Sequence, residues 1–89
     1  QMSKKIISLH KQFLHTFGDS IKANLVGAKW VGKGARLSSS GTAWISADGL
    51  RQYRLPSYKP KLKKYQANFE SRNTNGGEWI NNGHLDVNI

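Results

Sequence analysis

Apolar residues in the first part of the chain recur at the spacing of an amphipathic helix. Between about residues 4 and 17 they form a single stripe that consists of Ile6, Leu9, Phe13 and Phe17. Ser3 can cap the start of this helix and Gly18 can end it. A second, shorter helix is predicted to begin at Asp19 or Ser20 and to end at Gly27. The helical part of the chain is therefore expected at about residues 3–27.

Later in the chain the pattern changes to alternation, which is typical of strands. In residues 64–70 the apolar side chains are Tyr65, Ala67 and Phe69, and the intervening ones are Lys64, Gln66, Asn68 and Glu70. Residues 84–89 alternate in the same way, with Leu85, Val87 and Ile89 inward and with His84, Asp86 and Asn88 outward. Short strands are also predicted around Trp30, within a basic loop between Gly27 and Gly41, and at residues 78–80.

Two apolar runs flank Asp48-Gly49, a pair that favours a two-residue hairpin turn with positive φ at both central positions. This turn pairs Ala43 with Arg54, Trp44 with Tyr53, and Ile45 with Gln52. The face with Ala43 and Ile45 is mostly apolar and is predicted to be core. The other face, which is predicted to be open, carries Thr42, Trp44, Ser46, Arg51, Tyr53 and Leu55. Pro56 is expected to end the second strand, and residues 56–64 are expected to form a solvated basic loop.

These elements predict an α+β fold. Its N-terminal helices pack on one face of a small twisted antiparallel sheet of four or five strands, and a polar face stays open. The 89 residues make one domain, 1–89, with its sheet part at about residues 42–89. Because the chain contains no cysteine, packing alone must stabilise this fold.

The charge of the chain indicates a polyanionic partner. Fourteen Lys and Arg against five Asp and Glu give a formal net charge of +9, which favours nucleic acid. The alternative is a basic domain that meets an acidic protein. No apolar run reaches membrane-spanning length, and no signal peptide is evident, so no membrane partner is expected. Gln1 ahead of Met2 suggests an excised or processed domain.

The candidate chemistry is cleavage of RNA by its own 2′-hydroxyl. Two Glu and three Asp spread along the chain do not favour a metal site, and no nucleotide or dinucleotide motif calls for a cofactor. His84 is the candidate general acid or base, although a histidine after Gly83 can equally cap a turn. Arg51 and Arg54 are candidate phosphate ligands, and Lys59 can assist them. Arg54 can instead end the core face and pair with an acid.

Seven further residues are substrate-binding candidates, because hydroxyls, amides and aromatic rings recognise phosphates and bases. Six of them also have a structural interpretation: the rings can pack in the core, the aspartate can belong to the turn, and the amides can solvate the sheet. The seven candidates are Trp44, Ser46, Asp48, Tyr53, Tyr58, Gln66 and Asn68.

Three segments carry a resemblance to a known family. They are residues 45–60 (Ile-Ser-Ala-Asp-Gly-Leu-Arg-Gln-Tyr-Arg-Leu-Pro-Ser-Tyr-Lys-Pro), 66–70 (Gln-Ala-Asn-Phe-Glu) and 82–86 (Asn-Gly-His-Leu-Asp). They resemble the C-terminal ribonuclease toxin domains of bacterial polymorphic toxins, including contact-dependent growth-inhibition proteins. Such toxins are similar in fold to barnase, EndoU, the tRNA-cleaving colicins and RelE. The matching positions are Asp48, Gly49, Arg51, Tyr53, Arg54, Lys59, Gln66, Asn68 and His84.

The resemblance implies metal-free cleavage of tRNA or another RNA, with a tightly bound cognate immunity protein. It also implies delivery from the surface of one bacterium, as part of a larger protein, into the cytoplasm of a target cell. Some relatives use a translation factor such as elongation factor Tu. The leading hypothesis is therefore an antibacterial endoribonuclease whose hairpin and final strands share one open cationic surface. The alternatives are a non-catalytic nucleic-acid-binding module and a protein-interaction domain.

Overall fold

The computed structural model describes residues 19–88, so the helix predicted at about residues 4–17 lies outside the described residues. One helix, α1, packs against a five-stranded antiparallel sheet whose strands follow one another in chain order. The elements are α1 (Asp19–Val31), β1 (Arg36–Leu37), β2 (Ala43–Ile45), β3 (Arg51–Lys59), β4 (Lys64–Ser71) and β5 (Asn81–Val87). The predicted α+β fold is confirmed.

Helix α1 buries one face against the sheet and extends further than predicted. Ala23, Val26 and Trp30 are spaced by three or four residues, so they share the buried face. The helix continues past Gly27 and ends before Gly32, whose φ of 76° and bond from its N–H to the Ala28 carbonyl are typical of a helix end. The prediction of a strand around Trp30 is therefore wrong.

Three aromatic rings form the centre of the core. The Trp30 ring meets Phe69 edge to face at 6.3 Å, and the Tyr53 ring lies 5.1 Å from Phe69. The Tyr53 hydroxyl donates a hydrogen bond of 2.7 Å to Asn24 Oδ1 on α1. Burial raises the pKa of Tyr53 well above its usual range. These contacts attach the helix to the face of β3 and β4 that carries Tyr53 and Phe69.

The β2–β3 hairpin has the predicted register, in which Ala43 lies opposite Arg54 and Trp44 lies opposite Tyr53. Its turn differs from the prediction, because Gly49 has positive φ (75°) and Asp48 does not. The choice of face was also wrong. The helix covers the face that carries Tyr53, so the face predicted to be open is the core face.

The later strands are longer than predicted. Pro56 does not end β3; it lies at an irregularity of the β3–β4 register between Arg54 and Ser57, where a proline needs no ladder partner. The predicted basic loop at residues 56–64 is instead the end of β3, a turn at 60–63 and the start of β4. Residues 78–80 form no strand, and β5 begins at Asn81.

Candidate active site

The sheet face opposite α1 carries a continuous set of polar side chains, which we call the polar face. Paired residues in an antiparallel sheet direct their side chains to the same face, and successive residues of a strand alternate between faces. The register therefore assigns each residue to one face. Tyr53, Phe69 and Ala67 point toward the helix, so their neighbours in sequence point away from it. The polar face comprises Gln52, Arg54, Lys64, Gln66, Asn68, Glu70, Asn82, His84 and Asp86.

One row across the polar face brings together three of the predicted site residues. Arg54 on β3 lies opposite Asn68 on β4, and Asn68 lies opposite His84 on β5. Arg54 and His84 are exposed, and neither side chain hydrogen bonds to another residue of 19–88. Since neighbouring strands are about 4.8 Å apart, the Arg54 and His84 backbones are about 10 Å apart. A guanidinium and an imidazole therefore project from the two strands on either side of Asn68.

Glu70 places a carboxylate in the adjacent row of the polar face. It lies opposite Asn82, so His84 is its diagonal neighbour at roughly 7–8 Å between backbones. Its Oε1 accepts a hydrogen bond of 2.6 Å from Gln52 Nε2. On the other side of the sheet the Trp30 indole donates to the carbonyls of Gln52 (3.0 Å) and Glu70 (3.3 Å). The helix thus fixes both strands at the position from which Glu70 projects.

Asp86 lies opposite Gln66 in the next row of the polar face, on the side of His84 away from Glu70. Its carboxylate accepts hydrogen bonds from Gln66 Nε2 (2.9 Å) and Lys64 Nζ (3.0 Å). The Gln66 bond, with smaller effects from Lys64 and from the nearby His84, holds the pKa of Asp86 below its usual value. Gln66 and Asn68 are largely buried, and Asn68 Nδ2 lies 3.4 Å from Asn82 Oδ1. Because its amide is bonded to Asp86, Gln66 stabilises the candidate site from within the sheet.

Arg51 does not belong to this site. It shares the helix-side face with Tyr53, and its Nε donates a 2.8 Å hydrogen bond to the carbonyl of Trp30 near the end of α1. Its guanidinium also lies 4.0 Å from the Asp48 carboxylate. Arg51 and His84 therefore lie on opposite faces of the sheet, and the prediction that they share one surface is wrong.

Three other predicted site residues also lie on the helix-side face and not on the polar face. Tyr53 is 1% exposed and belongs to the core, so it cannot stack on a base. Ser46 is also 1% exposed, and its hydroxyl donates to Asp48 Oδ1 at 2.6 Å. Trp44 is partly exposed but lines a pocket of about 380 Å³ beside α1, together with Ala28 and Leu55. None of these three side chains reaches the row of Arg54, Asn68 and His84.

Asp48, Tyr58 and Lys59 lie away from the row as well. Asp48 is a turn residue, because its carboxylate accepts bonds from the Ser46 hydroxyl and from the Leu50 N–H (2.9 Å). These two bonds lower the pKa of Asp48, and the bond from Ser46 has the larger effect. Tyr58 and Lys59 are at the far end of β3, opposite Tyr65 and Lys64. Lys59 therefore lies at the hairpin end of β3, about 13 Å along the sheet from the row of Arg54, Asn68 and His84.

Glu70 is the site residue that the sequence interpretation missed. The alternation along residues 64–70 already placed it on the side of Asn68. The carboxylates, however, were considered as metal ligands and not as a proton acceptor for a ribose. The second signal, the position of Glu70 diagonal to His84, depends on the β4–β5 register and therefore on the folded chain.

Within residues 19–88, no group of three or more metal-ligating side chains lies close enough to hold an ion. The same part of the chain contains no helix with the length and apolarity needed to cross a bilayer. Comparisons with protein-family models, curated proteins and solved structures found no significant match.

Proposed function

We propose that this domain is an endoribonuclease that uses the polar face to cleave RNA by attack of a 2′-hydroxyl. The observation that carries the proposal is the arrangement of a carboxylate, an imidazole and a guanidinium around Asn68 on one face of the sheet. Glu70, His84 and Arg54 are the three groups concerned. The net charge of +9 supports a polyanionic substrate.

The reaction needs a base, an acid and a cation, and the three side chains have the matching chemistry. Glu70 accepts the proton of the 2′-hydroxyl as its oxygen bonds to phosphorus. The bond from phosphorus to the 5′-oxygen breaks, and His84 donates a proton to that leaving oxygen. Arg54 binds the non-bridging oxygens, on which negative charge accumulates. The products are a 2′,3′-cyclic phosphate and a 5′-hydroxyl, so no water is consumed in this step.

Asn68 lies between Arg54 and His84, and its role in the proposal is to position the substrate. It lies directly opposite both Arg54 and His84, and its side chain is only 9% exposed. A buried amide on a central strand has a fixed orientation, which makes it suited to orient a phosphate or a ribose hydroxyl. Gln52 has the corresponding role for Glu70, since their 2.6 Å hydrogen bond fixes the carboxylate.

The resemblance to bacterial toxin domains supplies the biological part of the proposal. In that setting the substrate is tRNA, a cognate immunity protein neutralises the domain, and elongation factor Tu is a candidate partner. The domain would be delivered within a larger surface protein and would act in the cytoplasm of a target bacterium. Expression of the domain in bacteria, with and without a candidate immunity protein, tests this setting through growth and through the integrity of each tRNA.

The chemical proposal is tested by incubating the purified domain with total RNA in the presence of a chelator. We expect shortened RNA with 2′,3′-cyclic phosphate ends, and no cleavage of DNA or of 2′-O-methylated RNA. Glu70→Gln and His84→Ala should each lower the cleavage rate by about 10²- to 10⁴-fold. Glu78→Gln is the matched control, because Glu78 is exposed and lies outside the strands.

Two results would refute the enzymatic proposal. Undiminished cleavage by both Glu70→Gln and His84→Ala would show that the polar face is not the active site. Intact RNA that nevertheless binds in a salt-dependent way would instead identify a non-catalytic nucleic-acid-binding module.

A further inference from the structure

The β3–β4 hairpin, residues 58–65, combines exposed aromatic rings with lysines; we call it the lysine–tyrosine hairpin. Tyr58 and Tyr65 are cross-strand partners whose rings meet at 5.2 Å, yet they are 50% and 37% exposed. Leu62 in the turn is 54% exposed. Ring packing alone therefore leaves much of this aromatic surface in contact with water.

The charge of the lysine–tyrosine hairpin is entirely positive. It contains Lys59, Lys61, Lys63 and Lys64, and no acidic residue occurs between Asp48 and Glu70. Lys59 and Lys64 lie directly opposite each other, an arrangement that repels in a hairpin. Asp86 compensates Lys64 at 3.0 Å, and no described residue compensates the others. A polyanion bound across the hairpin would remove this repulsion.

The hairpin is also preorganised and continuous with the candidate active site. Backbone bonds from Leu62 N to the Lys59 carbonyl (3.0 Å) and from Lys63 N to the Pro60 carbonyl (3.3 Å) order its turn. Its second strand is the start of β4, so Lys64 and Asn68 lie on one face about 13 Å apart. Tyr58 and Tyr65 lie on the helix-side face, as Ala67 and Phe69 do. An RNA strand held at Asn68 can therefore follow β4 to Lys64, and it reaches the two rings by passing around the turn of the hairpin.

We propose that the lysine–tyrosine hairpin is a second RNA subsite that binds unpaired bases of the substrate. Tyr58 and Tyr65 stack on one or two bases, and the lysines bind the adjoining phosphates. Because a base must leave its duplex to stack on a side chain, this subsite selects single-stranded segments. The inference rests on the proposed function for the identity of the ligand, but its test is a binding measurement that does not require cleavage.

The test uses a fluorescent oligonucleotide of about 12 residues that is fully 2′-O-methylated, so that no 2′-hydroxyl can attack. Tyr58→Ala should weaken binding of the single strand by about 5-fold or more, since a stacked base contributes about 1–3 kcal/mol. Binding of the corresponding duplex should change by less than about twofold, because the lysines remain. Tyr58→Phe is the matched control and should bind both ligands as the wild type does. Circular dichroism confirms that each variant is folded.

Photo-crosslinking of the wild-type domain to a fully 2′-O-methylated oligonucleotide that carries 4-thiouracil gives a second test that needs no variant. A crosslinked peptide that contains Tyr58 or Tyr65 supports the proposal, and crosslinks confined to other segments overturn it. Wild-type affinity in Tyr58→Ala, or equal losses for single strand and duplex, also overturns it. Vesicles of phosphatidylglycerol test the other polyanion: if Tyr58→Ala weakens only vesicle binding, the hairpin is a membrane-binding element and the proposal fails.

The two proposals fail in different ways. If the wild type leaves RNA intact but Tyr58→Ala loses single-strand affinity, the enzymatic proposal fails and the subsite stands. If the wild type produces 2′,3′-cyclic ends but Tyr58→Ala binds and cleaves as the wild type does, the subsite fails and the enzymatic proposal stands.

Discussion

Gly27→Ala should destabilise the domain, although alanine is the better helix former. Gly27 lies in α1 directly against the ring of Tyr53. A Cβ at this position would lie 2.6 Å from Tyr53 Cδ1 and closer still to two other ring atoms. The ring cannot turn away freely, because its hydroxyl is bound to Asn24 and the ring also packs against Phe69. The helix must therefore move away from the sheet.

Two opposing terms set the magnitude. Replacing glycine by alanine inside a helix favours folding by about 1 kcal/mol. Overpacking a core costs about 1–3 kcal/mol, and a contact this short belongs at the upper end of that range. The net result is a loss of about 1–2 kcal/mol in the free energy of unfolding. For a domain of 60–100 residues this corresponds to a decrease in Tm of about 5–15 °C.

Thermal and urea unfolding, followed by circular dichroism, measure this effect. Ala28→Gly is the control for helix propensity, since Ala28 is the neighbouring exposed position and should lose about 1 kcal/mol. The steric cause is tested with Tyr53→Leu, in whose background Gly27→Ala should be neutral or stabilising. A Gly27→Ala variant with a Tm equal to or above that of the wild type would refute the close packing of α1 on β3.

Three other changes have defined outcomes. Tyr53→Phe leaves Asn24 Oδ1 without its 2.7 Å donor, so urea unfolding should show a loss of about 0.5–1.5 kcal/mol; wild-type stability would contradict the bond. Asp48→Asn tests the lowered pKa of Asp48: a carboxyl with a folded pKa below its usual 3.8 stabilises above that value, and this contribution is lost as pH falls through the folded pKa. The difference in stability between the wild type and the variant should therefore begin to shrink as pH falls below about 4, and a constant difference down to pH 2 would exclude this role. Arg54→Lys keeps the charge but loses the planar fork, so kcat/KM for RNA should fall on the order of 10-fold to 100-fold, whereas unchanged kinetics would remove Arg54 from the phosphate.

The local pattern of residues was sufficient for much of the sheet. The β2–β3 register follows from two apolar runs around Asp48-Gly49, and the predicted pair of Trp44 with Tyr53 is observed. The alternation along β4 and β5 placed Phe69 and Val87 in the core, and His84 among the exposed residues. Both results depend on residues that are close in sequence, because side chains along a strand alternate between the two faces of the sheet.

The choice of the covered face depended on the tertiary structure. Alternation assigns residues to two faces but does not state which face a helix will cover, and the β2–β3 hairpin has aromatic rings on one face and smaller apolar residues on the other. The helix covers Tyr53 because Gly27 admits its ring and Asn24 accepts its hydroxyl. Because α1 covers the face of Tyr53, Arg51 contacts the end of α1, whereas Arg54 lies on the same face as His84.

The candidate site likewise required the pairing of β5 with β4. Arg72 orders the connection between these strands by donating to the carbonyls of Gly49 (2.7 Å) and Gly77 (2.8 Å) and by lying over the Trp79 ring. Only this long-range arrangement sets His84 opposite Asn68 and diagonal to Glu70. The sequence alone thus determined which side chains alternate and which residues carry useful chemistry. The tertiary structure decided which of them meet, because a site is assembled by contacts between segments that are distant in the chain.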